Sequence, residues 1–383
     1  MKIAILGQYP LDRQRLGGVE VAIAYVQREL LKKPELSLHI ITCREELSRP
    51  KVVQEDRLTI TYLPRKRLGR LTWHLREVRA ILRVLKEQEP DIVHAHGTGL
   101  YAGAALSSPY PAVVTVHGIA SQEARLLQGW RAKLRGWIDS QYERWVIRRT
   151  KHLMLITPYV EKVFSGTFRG QSYLVENACE ESFFTLKRQP MPGRLLFAGP
   201  VIPRKGVLPL LKALRLVRDQ VPVAHLSVAG STTADPDYFA ACKAYVHEAG
   251  LEGAVTFWGH LPQERVLEEY ARCAIFVLPS YQETAPMVIE QAMAAGVPSI
   301  ATRAGGVPWM LEDGVTGITL PVPKDLNGDP LALARAILQL FWNPVRAARM
   351  GQRAKEEAER RFHPQVVAQR TLEVYQQVLA AWG

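Results

Sequence analysis

The 383-residue chain has little cysteine: Cys43, Cys179, Cys242 and Cys273 are scattered, with no Cys-x-x-Cys pair. That spacing argues against a zinc ribbon and against a disulfide framework, and the expectation is four buried or free thiols. Long apolar runs are also missing. Stretches such as 195–202 fall far short of the ~20 residues a membrane-spanning helix needs. The apolar run after Met1-Lys2 ends at Gly7-Gln8, too short for a secretory signal, so a cytoplasmic protein is expected. No Gly-x-Gly-x-x-Gly follows the first strand and no Gly-x4-Gly-Lys-Ser/Thr loop occurs, which disfavours a dehydrogenase and a P-loop ATPase.

What the chain does have is apolar bulk and basic charge. Hydrophobic residues make up 47% and charged residues 22%, enough for a large core. At roughly 100–200 residues per domain, two domains are expected. Acidic residues are in deficit, 37 against 49 Lys and Arg, for a formal charge of +12. Residues 1–180 hold +10 of that and the remainder +2. A basic excess confined to one half indicates a specific surface, for which nucleic acid, an anionic membrane and an acidic small molecule are the candidates.

Short Val-, Ile- and Leu-rich runs alternate with amphipathic segments. Strands are expected at 2–7, 38–42, 91–94, 112–116 and 152–156, with helices at 19–32 and 71–88. The alternation restarts at Arg194, with strands at 195–198, 225–229, 255–257, 275–278 and 299–302. Strands apolar on both faces belong to parallel sheets covered by helices, so two α/β Rossmann-like domains in tandem are expected. Pro190, Pro192 and Gly193 mark the stretch between them as a linker, and 330–383 is expected to be helical with breaks at Asn343-Pro344 and His363-Pro364.

In such sheets ligands bind at the carboxyl ends of strands, where a helix N-terminus offers unbonded N–H groups. One strand ends at Leu278, followed by Pro279-Ser280-Tyr281-Gln282-Glu283-Thr284-Ala285-Pro286 and a helix from Met287. The amides of Met287 and Val288 would receive a phosphate there. Glu283 either accepts hydrogen bonds from the hydroxyls of a polyol such as a sugar or simply complements the helix N-terminus. Glu290 and Gln291 follow on that helix. A second strand, ending at Phe197-Ala198-Gly199, delivers Arg204 and Lys205 to a helix start, either as a solvated turn or as a guanidinium and an ammonium clamping a diphosphate. In the first half, Gly17-Gly18 precedes the first helix and Thr115-Val116-His117-Gly118 ends a strand, both on the carboxyl edge. His117, His94 and His96 are each either structural or functional.

In this order, these landmarks resemble the retaining GT-B glycosyltransferases of family 4. The resemblance runs through Gly17-Gly18-Val19-Glu20, Asp91-Ile92-Val93-His94-Ala95-His96, Thr115-Val116-His117-Gly118, Asn177 with Phe184, and Lys205-Gly206. It continues through Gly259, Pro279-Ser280, Glu283, residues 292–298, Gly305-Gly306-Val307-Pro308 and residues 313–317. It implies the GT-B fold, two Rossmann-like α/β domains facing across a cleft. Residues 1–180 would bind acceptor, 181–193 would link, 194–362 would bind donor, and a helix at 363–383 would cross back onto the first domain.

It also implies sugar transfer from a UDP-, GDP- or ADP-sugar with retention, without an obligatory metal and with no cofactor. Lys205 would neutralise the diphosphate and Glu283 would bind the sugar hydroxyls. His117 would touch the sugar, and Gly18 would let the backbone approach phosphate. Two positions depart from the family: Gln291 stands where a ribose-binding glutamate is usual, and Pro200 where arginine is frequent, so that Arg204 is left to supply the cation. A glutamine still accepts from ribose hydroxyls, without charge. Glu290 would point about 100° away from Gln291 on the helix.

Between 129 and 151, Trp130, Leu134, Trp137, Ile138, Trp145 and Ile147 alternate with Arg131, Lys133, Arg135, Arg144, Arg148 and Arg149. This segment is either a core helix with a solvated face or a basic amphipathic helix for an anionic membrane and a lipid-linked acceptor. Arg65-Lys66-Arg67 with Arg70 forms a second basic loop. No nucleic-acid module accompanies the charge, so nucleic acid is disfavoured as a partner. The expected function is glycosyl transfer to a polysaccharide, glycolipid or lipid-linked acceptor, in the cytoplasm or on the inner face of its membrane. The alternatives are a sugar phosphorylase or disaccharide synthase on the same fold, and a non-catalytic nucleotide-sugar-binding or membrane-associated subunit.

Overall fold

The computed structural model describes residues 1–11, 18–66, 72–124 and 129–382. Gly17, Arg67 and Arg70 lie outside them. The chain forms two compact units, Met1–Ala178 with Pro364–Gly383, and Cys179–His363.

The first unit is built on strands β1 (Lys2–Leu6), β2 (Ser37–Arg44), β3 (Lys51–Glu55), β4 (Leu58–Pro64), β5 (Ile92–His96), β6 (Ala112–Val116), β7 (His152–Leu155) and β8 (Gln171–Leu174). Their order is β3-β4-β2-β1-β5-β6-β7-β8, parallel except for the β3–β4 hairpin. The central strands are buried on both faces, as their near-continuous Ile, Val and Leu require. Strands β3, β4 and β8 are additional to the expected set. The two edge strands β3 and β8 are short, polar and largely exposed, the composition that keeps an edge from pairing further. Strand β4 alternates Thr with apolar residues and takes its place through a seven-residue register with β2.

The helix Pro364–Ala380 belongs to this unit and packs against Gly18–Leu31. It buries Val367, Ala368, Thr371, Leu372, Tyr375 and Val378, the three- and four-residue spacing of one helix face. The expected basic segment is the helix Trp130–Arg149, and its burial changes along its length. Its second half buries Ser140, Tyr142, Glu143, Val146 and Ile147, while Trp130, Leu134 and Trp137 in its first half are exposed.

The second unit holds β9 (Arg194–Ala198), β10 (His225–Ala229), β11 (Val255–Gly259), β12 (Ile275–Leu278), β13 (Ser299–Thr302) and β14 (Gly317–Leu320). All pairings are parallel, in the order β11-β10-β9-β12-β13-β14. Residues 181–193, whose composition suggested a linker, lie inside this unit. Their helix Glu181–Phe184 buries Phe183 and Phe184 in its core. Helices Pro330–Phe341 and Pro344–Arg361 start where Asp329 and Asn343 accept hydrogen bonds from the amides of Ala332 and Arg346, with proline at the first helical position. The four cysteines are unpaired and buried. Among the described residues no helix is long and apolar enough to cross a membrane.

Candidate active site

The order of the parallel strands reverses between β1 and β5 in the first unit and between β9 and β12 in the second. At such a switch point the loops leaving the two strands diverge and open a crevice at their carboxyl ends.

In the second unit the crevice is lined by the loops after β9 and β12. The chain leaves β9 through Gly199 (φ +147°), makes the 3₁₀ turn Pro203–Lys205, and enters the helix Val207–Arg218 at Gly206 (φ +69°). A Cβ on Gly206 would lie 2.2 Å from the carbonyl oxygen of Pro279, so the two loops touch only because this residue is glycine. The loops are stitched together. Tyr281 N–H donates to Arg204 O at 2.9 Å, and Arg204 Nη1 donates to Gln282 O at 2.7 Å.

Lys205 Nζ then lies 2.5 Å from Glu283 Oε1, and Arg204 Nη1 lies 3.9 Å from Glu283 Oε2. Lys205 is 9% exposed and Glu283 6%, so the pair is largely withdrawn from solvent. From the other side, Gly306 N–H donates to Glu283 O at 3.2 Å. Two cations face one carboxylate, which leaves a positive charge at the mouth of the switch point. That is the electrostatics of an anion site, with a carboxylate beside it able to accept from hydroxyls.

The remaining expected residues divide. Met287 and Val288 begin the helix Met287–Ala294 four residues after Glu283 and are half-buried. Gln291, on the same face as Met287, accepts from Tyr270 Oη at 3.3 Å through its Oε1. Glu290, one position earlier on that helix, is buried, and its charge adds to burial in raising the pKa of the Cys179 thiol. Gly259 ends β11 with φ +69°, on the same carboxyl edge but two strands from β9. Pro200 stands in the loop between Gly199 and Val201, whose amide donates to Ser231 O at 2.9 Å.

In the first unit Gly18 opens the helix Gly18–Leu31 that follows β1. His96 at the end of β5 and His117 just after β6 meet at the switch point, His96 Nδ1 and His117 Nε2 being 2.8 Å apart with the rings stacked. His117 also bonds Asn177. Behind them His94 bonds Tyr375 Oη of the C-terminal helix at 2.7 Å and Thr115 Oγ1 at 2.6 Å. Burial lowers all three pKa values: His94 to about 3, His117 to about 4, and His96 well below its ordinary value. The three are therefore neutral at physiological pH. Sequence reasoning missed Tyr375 as a partner of His94; only its position on the buried face of the last helix signals it. Asn177 stands in a motif without an assigned role.

His96 and His117 line a cavity of about 300 Å³ with Trp73, Tyr101, Asp139 and Tyr142. Trp73 and His74 both hold left-handed backbone angles, φ +48° and +56°, a conformation costing such residues about 1–2 kcal/mol each. The Trp73 ring stands edge-on to Tyr142, with centroids 5.0 Å apart. Among the described residues, no three His, Cys, Asp or Glu side chains group to hold a metal ion.

Two Rossmann-like units, each gathering polar groups at the switch point of its sheet, form the architecture of GT-B glycosyltransferases. The family model for glycosyl transferases group 1 matches residues 179–357 and that for Glycosyltransferase Family 4 matches 16–178. The chain belongs to glycosyltransferase family 4. It is 28% identical over 312 residues to a glycogen synthase of Mycobacterium tuberculosis, covering 78% of this chain and 72% of that one. Its fold matches that of sucrose-phosphate synthase from Thermosynechococcus elongatus, with TM-score 0.81, 21% identity and 99% coverage of both chains. It also matches the Anabaena protein Alr3699/HepE solved with UDP and glucose, with TM-score 0.74, 18% identity, and coverage of 98% of this chain and 100% of that one.

Proposed function

We propose that this glycosyltransferase moves a sugar from a nucleotide-diphosphate donor to a glycan or lipid-linked acceptor at the inner face of the membrane, with retention and without an obligatory metal. The observation that carries the reading is the buried Lys205–Glu283 pair with Arg204 at the switch point of the second unit. A nucleotide-diphosphate sugar brings both groups this site answers, a dianionic leaving group and a hydroxylated ring. The Anabaena structure, which holds UDP and glucose on the same fold, agrees with that donor class.

In the reaction the bond between the anomeric carbon and the β-phosphate oxygen breaks, and the acceptor oxygen bonds that carbon on the same face. The acceptor proton passes to the departing diphosphate. Lys205 and Arg204 meet the charge that develops on the leaving oxygen, and preorganised groups of this kind contribute about 10²–10³ in rate each. Glu283 accepts from ring hydroxyls and fixes the sugar's orientation. The amides of Met287 and Val288 serve phosphate, and Gln291 serves ribose. Neutral His117 acts in the pocket of the first unit, and Gly18, at the start of the helix Gly18–Leu31, lets the backbone approach phosphate.

A thermal-shift panel of UDP-, GDP- and ADP-sugars tests this. One nucleotide class raises the melting temperature of the unmodified chain, and the rise is lost in Lys205→Ala. No response to any of them contradicts the reading.

A further inference from the structure

We propose that the first half of the helix Trp130–Arg149 docks the first unit on an anionic phospholipid surface, with Trp130, Leu134 and Trp137 entering the headgroup region. The inference deepens the membrane-side acceptor reading and rests on it.

The helix is built in two parts. Residues 136–147 supply all its buried side chains, whereas 130–135 supply none. Trp130, Leu134 and Trp137 are 71%, 50% and 59% exposed. At i, i+4 and i+7 they form one stripe, so the exposed apolar surface is continuous. Arg131, Lys133 and Arg135 flank it, all exposed, and Arg144 and Arg148 extend the stripe's line along the helix. The Arg131 guanidinium sits 5.2 Å from the centre of the Trp130 ring.

The acidic residues of the helix do not offset this charge on that face. Glu143 is buried, accepting from the amides of Ala120 at 2.8 Å and Ser121 at 3.1 Å, and Asp139 lines the cavity. Tryptophan and leucine ringed by cations fit the boundary between headgroups and acyl chains, with the cations left at phosphate level. An acidic protein surface would answer the charge but leave two indoles without an apolar layer.

The same helix joins this stripe to the pocket. Ile138, Asp139 and Tyr142 line the cavity that holds His96 and His117, one residue beyond Trp137. Glu143 anchors the segment that follows His117-Gly118. A surface holding the stripe would therefore hold the mouth of this pocket close to the headgroups, where a lipid-linked acceptor presents its polar end.

Flotation of the full chain with phosphatidylcholine vesicles, and with vesicles that also contain phosphatidylglycerol, tests the proposal. Binding is expected to the anionic vesicles only, with release at high salt. Each cation at an anionic surface contributes about fivefold to partition, so Arg131→Gln, Lys133→Gln and Arg135→Gln together weaken binding about a hundredfold. Trp130→Ser with Trp137→Ser weakens it at least about tenfold. These side chains are exposed, so both variants keep the unmodified melting temperature and its shift with donor.

Absence of binding to anionic vesicles overturns the proposal, as does unchanged binding by the tryptophan variant. Self-association that depends on Trp130 and Trp137, without vesicle binding, overturns it in favour of a second copy. Vesicle binding by a chain that answers no donor would overturn the transferase reading and leave the docking surface standing.

Discussion

Removing the Lys205 side chain is the sharpest perturbation of the proposed donor site. In Lys205→Ala the Glu283 carboxylate stays buried and loses the ammonium 2.5 Å away, keeping only the Arg204 guanidinium at 3.9 Å. Breaking a buried pair from one side costs about 3–5 kcal/mol, because an uncompensated charge remains. Arg204 offsets part of that, which places the expected loss near the lower end, about 3 kcal/mol. For a unit of this size, 1 kcal/mol moves the melting temperature by about 2–4 °C, so a fall of about 6–12 °C is expected in calorimetry. Donor affinity falls further, by about ten- to a hundredfold, the value of one charge-assisted hydrogen bond. Adding Glu283→Ala removes the stranded carboxylate, so the double variant is more stable than Lys205→Ala alone, with a coupling of about 1–3 kcal/mol in the cycle. Additive losses in the two single variants would refute the pairing and the site built on it.

His94, which is buried, and His96 and His117, which are half-buried, make the first unit sensitive to acid. Each is neutral when folded, with its pKa depressed by burial, whereas the unfolded chain takes up protons near pH 6.5. Their contribution to stability is complete above pH 6.5 and is lost as pH falls below it, through about 4 for His117 and about 3 for His94, and His117→Asn flattens the fall of melting temperature between pH 6.5 and 4. At Gly206, alanine meets both a left-handed backbone and the Pro279 carbonyl, for an expected loss of about 2–4 kcal/mol together with donor binding. Gly250→Ala, also left-handed (φ +64°) but in open space, should lose only about 1–2 kcal/mol in the same denaturant titration and keep donor binding. The four thiols should resist a thiol reagent in the native protein and all react in guanidinium, since Cys43, Cys179, Cys242 and Cys273 are buried and burial raises their pKa values.

Much of the fold is legible in the pattern of the chain because the parallel core strands carry unbroken Val, Ile and Leu between amphipathic segments. The loops around Lys205 and Glu283 stand out for the same reason: each follows a strand and precedes a helix. What periodicity does not carry is pairing across 78 positions of chain, which depends on Gly206 letting one loop reach the Pro279 carbonyl. Strands β3 and β8 escape notice because edge strands are polar by necessity, and β14 starts on a glycine directly after the turn at 314–316. The helix Glu181–Phe184 hides among prolines that suggest a linker, yet two adjacent phenylalanines are costly to leave in water. For Trp130–Arg149 the composition fits core and surface equally, and only the structure divides the helix into an exposed and a buried half.

The central claim, that Lys205, Arg204 and Glu283 hold a nucleotide-diphosphate sugar for retaining transfer, is tested most directly by following donor turnover by proton NMR in the unmodified chain and in Glu283→Ala. The unmodified chain is expected to consume one class of nucleotide sugar and form a product with the donor's anomeric configuration, and a folded Glu283→Ala to form none. An inverted product, or wild-type turnover in Glu283→Ala, would contradict it.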